Sequence, residues 1–338
     1  MKHIEAVRLA MISLSERKPF LGLGQNADAQ YRLSISALIE RGLDVVSVDI
    51  DDPPDFAISI DDGSGSRFWL NGQVIVPESY WCRLKFFNTP LKAILSQDYE
   101  GVRRTEWLAF SSGLSHILCD RILHNESLSA ATSKLAQLAM AGQAGFAIPS
   151  TISGVGQAGA LQFADKVGSV VIKGLHATNL VRPEDPEATD VFITTEISRR
   201  EMAAADPEEF RSCPYFIQEK VDTSNEHRVI AFGDRIFCYK LVERGGVNPL
   251  VDRRVLKPHF ELVETPPILP QLVARYFSAA NLSYGVFDLV FERSEILFLE
   301  CNPEGQWHSA NEINLREVVT AFADWNESGR GVSTSPAM

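Results

Sequence analysis

Short apolar runs alternate along this chain with polar stretches punctuated by glycine and proline, and their spacing switches between the helical and extended periods. In YRLSISALIERG, Leu33, Ala37 and Leu38, with Ile35 beside them, recur near helical spacing, and Gly42 is placed to cap the helix. LDVVSVDI after it reads as a buried parallel strand. From Val102 to Gly145 the pattern is helical in two segments divided near His124–Ser127, the second rich in helix formers and stopping at Gly145. Pro149–Gly159 reads as a loop, GSVVIK as a buried strand ending in Lys173, and VFITTEI and PYFIQEKV as further strands. The acidic, proline-bearing stretch Arg182–Thr189 reads as solvated. EHRVIAFGDRIFCYKLV predicts a hairpin about Gly233–Asp234, and ILPQLVARYFSAANL a helix. YGVFDLVF and EILFLECNP predict a last strand pair, while NESGRGVSTSPAM is poor in apolar residues and reads as a disordered tail.

The chain has 338 residues, which at about 100–200 per domain predicts two or three domains. Lys plus Arg total 32 against 44 Asp plus Glu, a net charge of −12 that argues against a general nucleic-acid binder while leaving room for a local phosphate pocket. The five cysteines, at 82, 119, 213, 238 and 301, form no CxxC pair, so neither a zinc motif nor a disulfide framework is expected. Glu5 and Arg8 interrupt the apolar character of MKHIEAVRLAMISL, and no run approaches the roughly 18 apolar residues of a membrane span. The expected location is the cytoplasm, without a membrane partner.

Two motifs are weighed and set aside. Gly154, Gly156 and Gly159 spell GxGxxG, but a dinucleotide fingerprint needs a strand before it, a helix opening on it and an acid about 20 positions on. Asp49, Asp51, Asp52 and Asp55 surround Pro53 and Pro54 with no His or Cys among them, and read as a solvated loop.

The last hairpin is more informative. With its turn centred on Ser294, Asp288 faces Glu300 directly, the Cβ atoms about 5 Å apart. Period-two alternation puts Asn302 on that face and sends Leu297, Leu299 and Cys301 to the other. Opposed carboxylates repel unless a cation lies between them, and an oxygen-only Asp, Glu and Asn set suits Mg²⁺ whose remaining positions are filled by phosphate. Lys134, Lys173, Arg228 and the Arg253–Arg254 pair, taken singly, are explained by surface placement or salt bridging, and His227 reads as a strand-surface histidine.

The order of these segments resembles the ATP-grasp superfamily, and most closely the microviridin-type peptide maturases, or graspetide synthetases. The resemblance runs over nearly the whole chain: VDIDDPPDF, Tyr80-Trp81-Cys82-Arg83, KLAQLAMAGQAGFAIPSTISG, VVIKGL, FIQEKVDTSNEHRVIAFG, VDRRV, LSYGVFDLVF and FLECNPEGQW. The chain departs from the family's pattern in ILHNES, at Leu84, and in VDRRV, where an aromatic is expected between Asp252 and Arg254.

The resemblance implies an α/β (α+β) ATP-grasp fold. It places a pre-ATP-grasp α/β domain at 1–125, a central lobe at 126–215, a C-terminal lobe at 216–326 and a disordered tail at 327–338. It implies that Lys134 and Lys173 contact ATP phosphates. Gln218, Glu219, Lys220 and Val221 form the adenine hinge through backbone groups, and Glu226 reaches the ribose. Asp288, Glu300 and Asn302 hold one or two Mg²⁺, and Arg228 and Arg254 steady the transferred phosphoryl group or the acylphosphate. The activity implied is an ATP- and Mg²⁺-dependent ligation of a carboxylate to an amine or hydroxyl, with a ribosomal precursor peptide (leader plus core) as substrate and a homodimer as assembly. A ligase for free amino acids or a protein C-terminus is the alternative within the fold. A non-catalytic ATP-binding module is the alternative outside catalysis.

Overall fold

The structure, a computed structural model, describes residues 18–61, 65–84, 99–118, 133–175, 179–182, 185–191, 194–242, 259–292, 295–303, 305, 307 and 315–328. Arg254, Cys119, the division near His124–Ser127, the N-terminal segment and most of the tail lie outside these residues. The chain divides into two compact units, one of residues 1–126 with 319–338, the other of residues 127–318.

The first unit opens with β1 (Phe20–Gly24), α1 (Ala29–Glu40) and β2 (Val45–Asp49). Asp28 caps α1, its Oδ1 accepting from the Gln30 N–H at 2.9 Å, and Gly42 follows at φ +78°, where a Cβ would be strained. A meander of β3 (Phe56–Asp61), β4 (Gly65–Leu70) and β5 (Gln73–Ile75) leads to β6 (Ser79–Arg83), and α2 (Tyr99–Ile117) follows. Strands β2, β1 and β6 form a parallel sheet in that order. β2 alternates between buried and half-buried residues instead of being buried throughout. Its inward Val46 and Val48 join Leu21, Leu23, Phe68, Ile75 and Leu114 in one core. The acidic run from the end of β2 is exposed at Asp51, Asp52 and Asp55, as expected of a solvated loop; within it Gln25 Nε2 donates to Asp51 at 2.9 Å, and Arg103 pairs with Asp51 at 3.1 Å.

The second unit begins with α3 (Lys134–Ala144), capped by Ser133 and ended by Gly145 at φ +98°. Then come β7 (Thr151–Gly154), α4 (Gln157–Val167), β8 (Val170–Ile172), β9 (Asn179–Arg182), β10 (Asp185–Val191), β11 (Thr195–Ile197), α5 (Arg199–Ala204), α6 (Glu209–Ser212) and β12 (Tyr215–Glu219). The order β11-β8-β12-β7 makes a four-stranded sheet, and β9 pairs with β10 separately. The stretch expected to be solvated at Arg182–Thr189 therefore contains strand, its pairing outweighing the weak strand propensity of Asp, Pro and Glu. The expected loop at Pro149–Gly159 is also corrected, since strand β7 ends on Gly154, Gly156 caps helix α4 and Gly159 lies within it. No dinucleotide fingerprint results. β7 and β8 both run antiparallel to β12, which lies between them, and no acid stands about 20 residues on.

The rest of the chain supplies β13 (Glu226–Phe232), β14 (Arg235–Val242), β15 (His259–Val263), α7 (Leu269–Ala280), β16 (Tyr284–Phe291), β17 (Ile296–Asn302) and α8 (Leu315–Ser328), the last belonging to the first unit from residue 319 on. Five antiparallel strands lie in the order β15-β14-β13-β16-β17. One face of this sheet is covered by α3 and α7. Leu138, Ala141, Leu272, Val273, Tyr276 and Phe277 pack there on Val229, Ala231, Phe287, Leu289 and Phe298. Alternation along the strands puts Glu226, Arg228 and Asp288 on the opposite face, beside buried apolar residues such as Ile230, Phe232, Tyr284 and Val286. Among the described residues, no helix is long and apolar enough to cross a membrane.

Candidate active site

On β13, Val229 and Ala231 point into the core, so Glu226 and Arg228 point away from it; on β16, Phe287 and Leu289 do the same for Asp288. The ladders align Arg228 with Asp288 and Asp288 with Glu300, giving a row of Arg, Asp and Glu across three adjacent strands. Arg228 Nη1 donates to Asp288 Oδ1 at 3.3 Å, and Asn302 Nδ2 donates to Glu300 Oε1 at 3.2 Å. The expected facing of Asp288 and Glu300 is present, together with a feature the alternation rule missed.

A register shift falls between Asp288 and Leu289, where Leu299 is the extra residue of β17. Because the bulge reverses the alternation, Ile296, Phe298 and Cys301 share the core face. The expectation that Leu297 and Leu299 accompany Cys301 is therefore corrected. The turn side of the hairpin runs in one register and the carboxylate side in another.

Electrostatics on this face are tightly linked. Burial pushes the Asp288 carboxyl up to about 7; Arg228 opposes the shift, while Glu300 and Glu226 reinforce it by repulsion. Burial lowers the pKa of Lys173; Glu300, Glu226 and Asp288 oppose that effect and Lys134 adds to it. These mutual influences bring Lys134, Lys173, Glu226, Asp288 and Glu300 into one neighbourhood. Lys173 Nζ donates to Gln218 Oε1 at 2.8 Å, Gln218 Nε2 donates to Thr151 Oγ1 at 3.0 Å, and Lys134 Nζ donates to the Gly174 carbonyl at 2.6 Å.

The expected hinge is a strand end followed by exposed chain. Gln218 is buried, and its side chain is engaged by Lys173. The N–H groups of Glu219 and Lys220 donate to the carbonyls of Ser150 and Ser169, both at 2.9 Å. His227 is not a surface histidine. It is 4% exposed, stacks on Phe291 with centroids 3.8 Å apart, and holds Nδ1 2.9 Å from the Asn225 carbonyl.

Could this face accept Mg²⁺? Asp288, Glu300 and Asn302 offer hard oxygen donors from neighbouring strands, with two carboxylates set side by side and Arg228 bonded to Asp288. Among the described residues no group of three or more His, Cys, Asp or Glu has metal-holding geometry. Two carboxylates and an amide would therefore depend on phosphate oxygens and water to complete a shell. The donor chemistry fits Mg²⁺ bound together with a nucleotide.

Four residues of the neighbourhood carried little signal in sequence. Thr151 supports Gln218, and Gln137 bonds the backbone at Cys301. Tyr239 pairs with Arg228 and shares its face. Gly305 donates to the Asn302 carbonyl at 3.0 Å, where a Cβ would stand 2.5 Å from Val286 Cβ. Only Gln137, one helical turn after Lys134, has a spacing that could have marked it.

No protein-family model matches the chain, and no curated protein does. Solved structures do match over nearly its full length. One is a RiPP-associated ATP-grasp ligase of Chryseobacterium gregarium in complex with ADP and a leader and core peptide. It is 18% identical with TM-score 0.77, covering 94% of this chain and 100% of that one. Another is the macrocyclase MdnC of Microcystis aeruginosa bound to precursor peptide MdnA, 20% identical with TM-score 0.71, covering 92% and 99%. A third is the ATP-grasp ligase PsnB with a phosphomimetic minimal precursor, Mg and ADP, 17% identical with TM-score 0.67, covering 93% and 99%. The chain has the mixed α/β ATP-grasp fold.

Proposed function

We propose that this ATP-grasp chain is an ATP- and Mg²⁺-dependent ligase. In this reading it joins a carboxylate to an amine or hydroxyl, and its substrate is a cytoplasmic, ribosomally made precursor peptide. The observation that carries the reading is the row Arg228–Asp288–Glu300, with Lys134 and Lys173 brought to the same neighbourhood from other elements. Ligases of the same fold were crystallised with ADP, Mg and precursor peptides, which supports both the nucleotide and the peptide.

In this mechanism the substrate carboxylate attacks the γ-phosphorus of ATP, ADP leaves, and an acylphosphate forms. An amine nitrogen or hydroxyl oxygen then attacks the acyl carbon and phosphate departs, so each bond removes one water. No protein nucleophile is needed, and catalysis consists of positioning and charge neutralisation. Lys134 and Lys173 hold phosphate oxygens, Glu226 meets the ribose, and the hinge from Gln218 to Val221 takes the adenine. There the Val221 N–H and nearby carbonyls serve, because the Glu219 and Lys220 N–H groups are bonded within the sheet. Arg228 reaches from Asp288 toward the transferred group, and Arg254 is assigned the same duty. Asp288, Glu300 and Asn302 would hold Mg²⁺, which would supply positive charge against the triphosphate.

Incubating the protein with ATP, Mg²⁺ and a precursor peptide rich in Asp/Glu and Thr/Ser/Lys should give products lighter by one water per bond, with ADP and phosphate released. Glu300→Gln should abolish this. AMP as product would overturn the acylphosphate mechanism itself, while no mass loss with ADP release stimulated by free amino acids would replace the peptide reading with its alternative.

A further inference from the structure

Among the described residues, strand β17 is the outermost of the five-stranded sheet, and no further strand pairs along its outer edge. Exposed edges must be covered or bonded in some other way. Ala147 covers the first half, its N–H donating to the Ile296 carbonyl at 3.0 Å and its carbonyl accepting from the Phe298 N–H at 2.8 Å. Beyond the bulge at Leu299 a single side chain takes over. Gln137 Nε2 donates to the Cys301 carbonyl at 2.7 Å, and the Cys301 N–H donates to Gln137 Oε1 at 3.1 Å. The amide thus imitates a neighbouring strand for one residue. Its orientation is fixed by chemistry, since only the oxygen can accept from an N–H and only the nitrogen can donate to a carbonyl.

Cys301 lies between Glu300 and Asn302, and its thiol points into the core. The bulge separates this stretch from the register set by the hairpin turn, so the turn alone does not fix the angle at which Glu300 and Asn302 leave the strand. Gln137 is 5% exposed and sits one turn after Lys134 on α3. Lys134 in turn bonds the Gly174 carbonyl, just after Lys173. One rigid helix therefore carries a phosphate-side lysine and the clamp on the acidic strand.

We propose that Gln137 is a positioning residue for divalent-cation binding: by bonding both backbone groups of Cys301, it holds Glu300 and Asn302 in the orientation that accepts the cation beside a nucleotide. This inference rests on the ligase reading above. It adds a residue that touches neither metal nor nucleotide and acts through the strand backbone. Groups that orient metal ligands in this way commonly change metal affinity or activity by about 10–100-fold when replaced.

The test is a titration of the full-length protein with Mn²⁺ in the presence of ADP, read by electron paramagnetic resonance, with thermal melts alongside. Gln137→Met keeps the side-chain length and removes both bonds, and Mn²⁺ should bind roughly 10- to 100-fold more weakly. Gln137→Glu keeps an acceptor for the Cys301 N–H but loses the donor to its carbonyl, and should fall between; it also serves if Gln137→Met does not fold. Met202→Ala, fully buried in the core beside the four-stranded sheet, is the control. It should lower the melting temperature and leave Mn²⁺ affinity unchanged. Wild-type Mn²⁺ affinity in a folded Gln137 variant, or an equal loss in Met202→Ala, overturns the positioning role while leaving the ligase reading intact. Failure of the wild-type protein to take up Mn²⁺ with ADP overturns both.

Discussion

Replacing Lys173 by Met separates the nucleotide-binding role proposed for this lysine from what it does for the fold. Burial depresses its pKa despite three nearby carboxylates, so the charged form is held in the folded protein at a net electrostatic penalty. The change relieves that penalty but orphans the buried Gln218 Oε1, which now accepts from Nζ at 2.8 Å. An unsatisfied buried acceptor costs about 1–3 kcal/mol. The two terms oppose each other, and the single variant should melt within a few degrees of wild type. Lys173→Met with Gln218→Met removes both partners and should recover the difference. The functional effect has no such offset: a charge-assisted bond to phosphate contributes about 1.5–3 kcal/mol, or roughly 10- to 150-fold in the dissociation constant for ATP.

The assay is calorimetric titration with Mg·ATP, paired with denaturant melts as a function of pH. A lysine whose folded pKa lies below its ordinary 10.5 binds protons more readily in the unfolded chain. Wild type should therefore gain stability relative to Lys173→Met as pH rises toward 10.5. ATP affinity within twofold of wild type in a folded Lys173→Met protein would refute the phosphate role. A wild-type advantage that shrinks with rising pH would refute the electrostatic account.

Three other outcomes follow from the same face. The Tyr239 hydroxyl is buried without a hydrogen-bond partner among the described residues, so Tyr239→Phe should raise stability by about 1 kcal/mol, roughly 2–4 °C in a melt; a loss of stability would reveal a bond. With the Asp288 carboxyl pushed up to about 7, protons compete with Mg²⁺, so affinity should strengthen about tenfold per unit as pH rises toward 7 and flatten above it; a flat profile from about pH 6 to 8 would contradict the assignment of Asp288. Gly305→Ala forces a Cβ against Val286 and the Asn302 carbonyl, which should cost about 1–3 kcal/mol and weaken Mg²⁺ binding as Asn302 moves; calorimetry finding both unchanged would show that this loop yields freely.

Elements governed by local rules were legible in the sequence. Helix α1 ends just before the expected Gly42, and α3 stops at Gly145, because both glycines adopt the left-handed conformation that ends a helix. The hairpin about Gly233–Asp234 pairs Phe232 with Arg235 as its turn residues require. What escaped were features set by tertiary partners. β7 is held as a strand by β12, and β10 by β9, although their own residues favour loops. His227 looked exposed because one strand face looks like another until Phe291 covers it. The hinge was expected to act through its backbone alone, and nothing in FIQE announces that Gln218 turns its side chain toward Lys173.

The bulge at Leu299 shows how three side chains can be placed on one sheet face from an incomplete rule. Simple alternation places Asp288, Glu300 and Asn302 together because all three lie on the same side of the bulge, where one register holds without interruption. The error falls wholly on the turn side, at Leu297 and Leu299, where apolar residues occupy both faces and alternation carries little information. The register that matters is anchored from elsewhere, by the ladder to β16 and by the Gln137 amide. The same locality governs charge. Among the described residues of the neighbourhood, Lys134, Lys173 and Arg228 stand against Glu226, Asp288 and Glu300, a balance that the total of −12 does not reveal. Whole-chain charge decides which polymers this protein repels, while the local balance among side chains from several elements decides whether a triphosphate with its cation would be held as proposed.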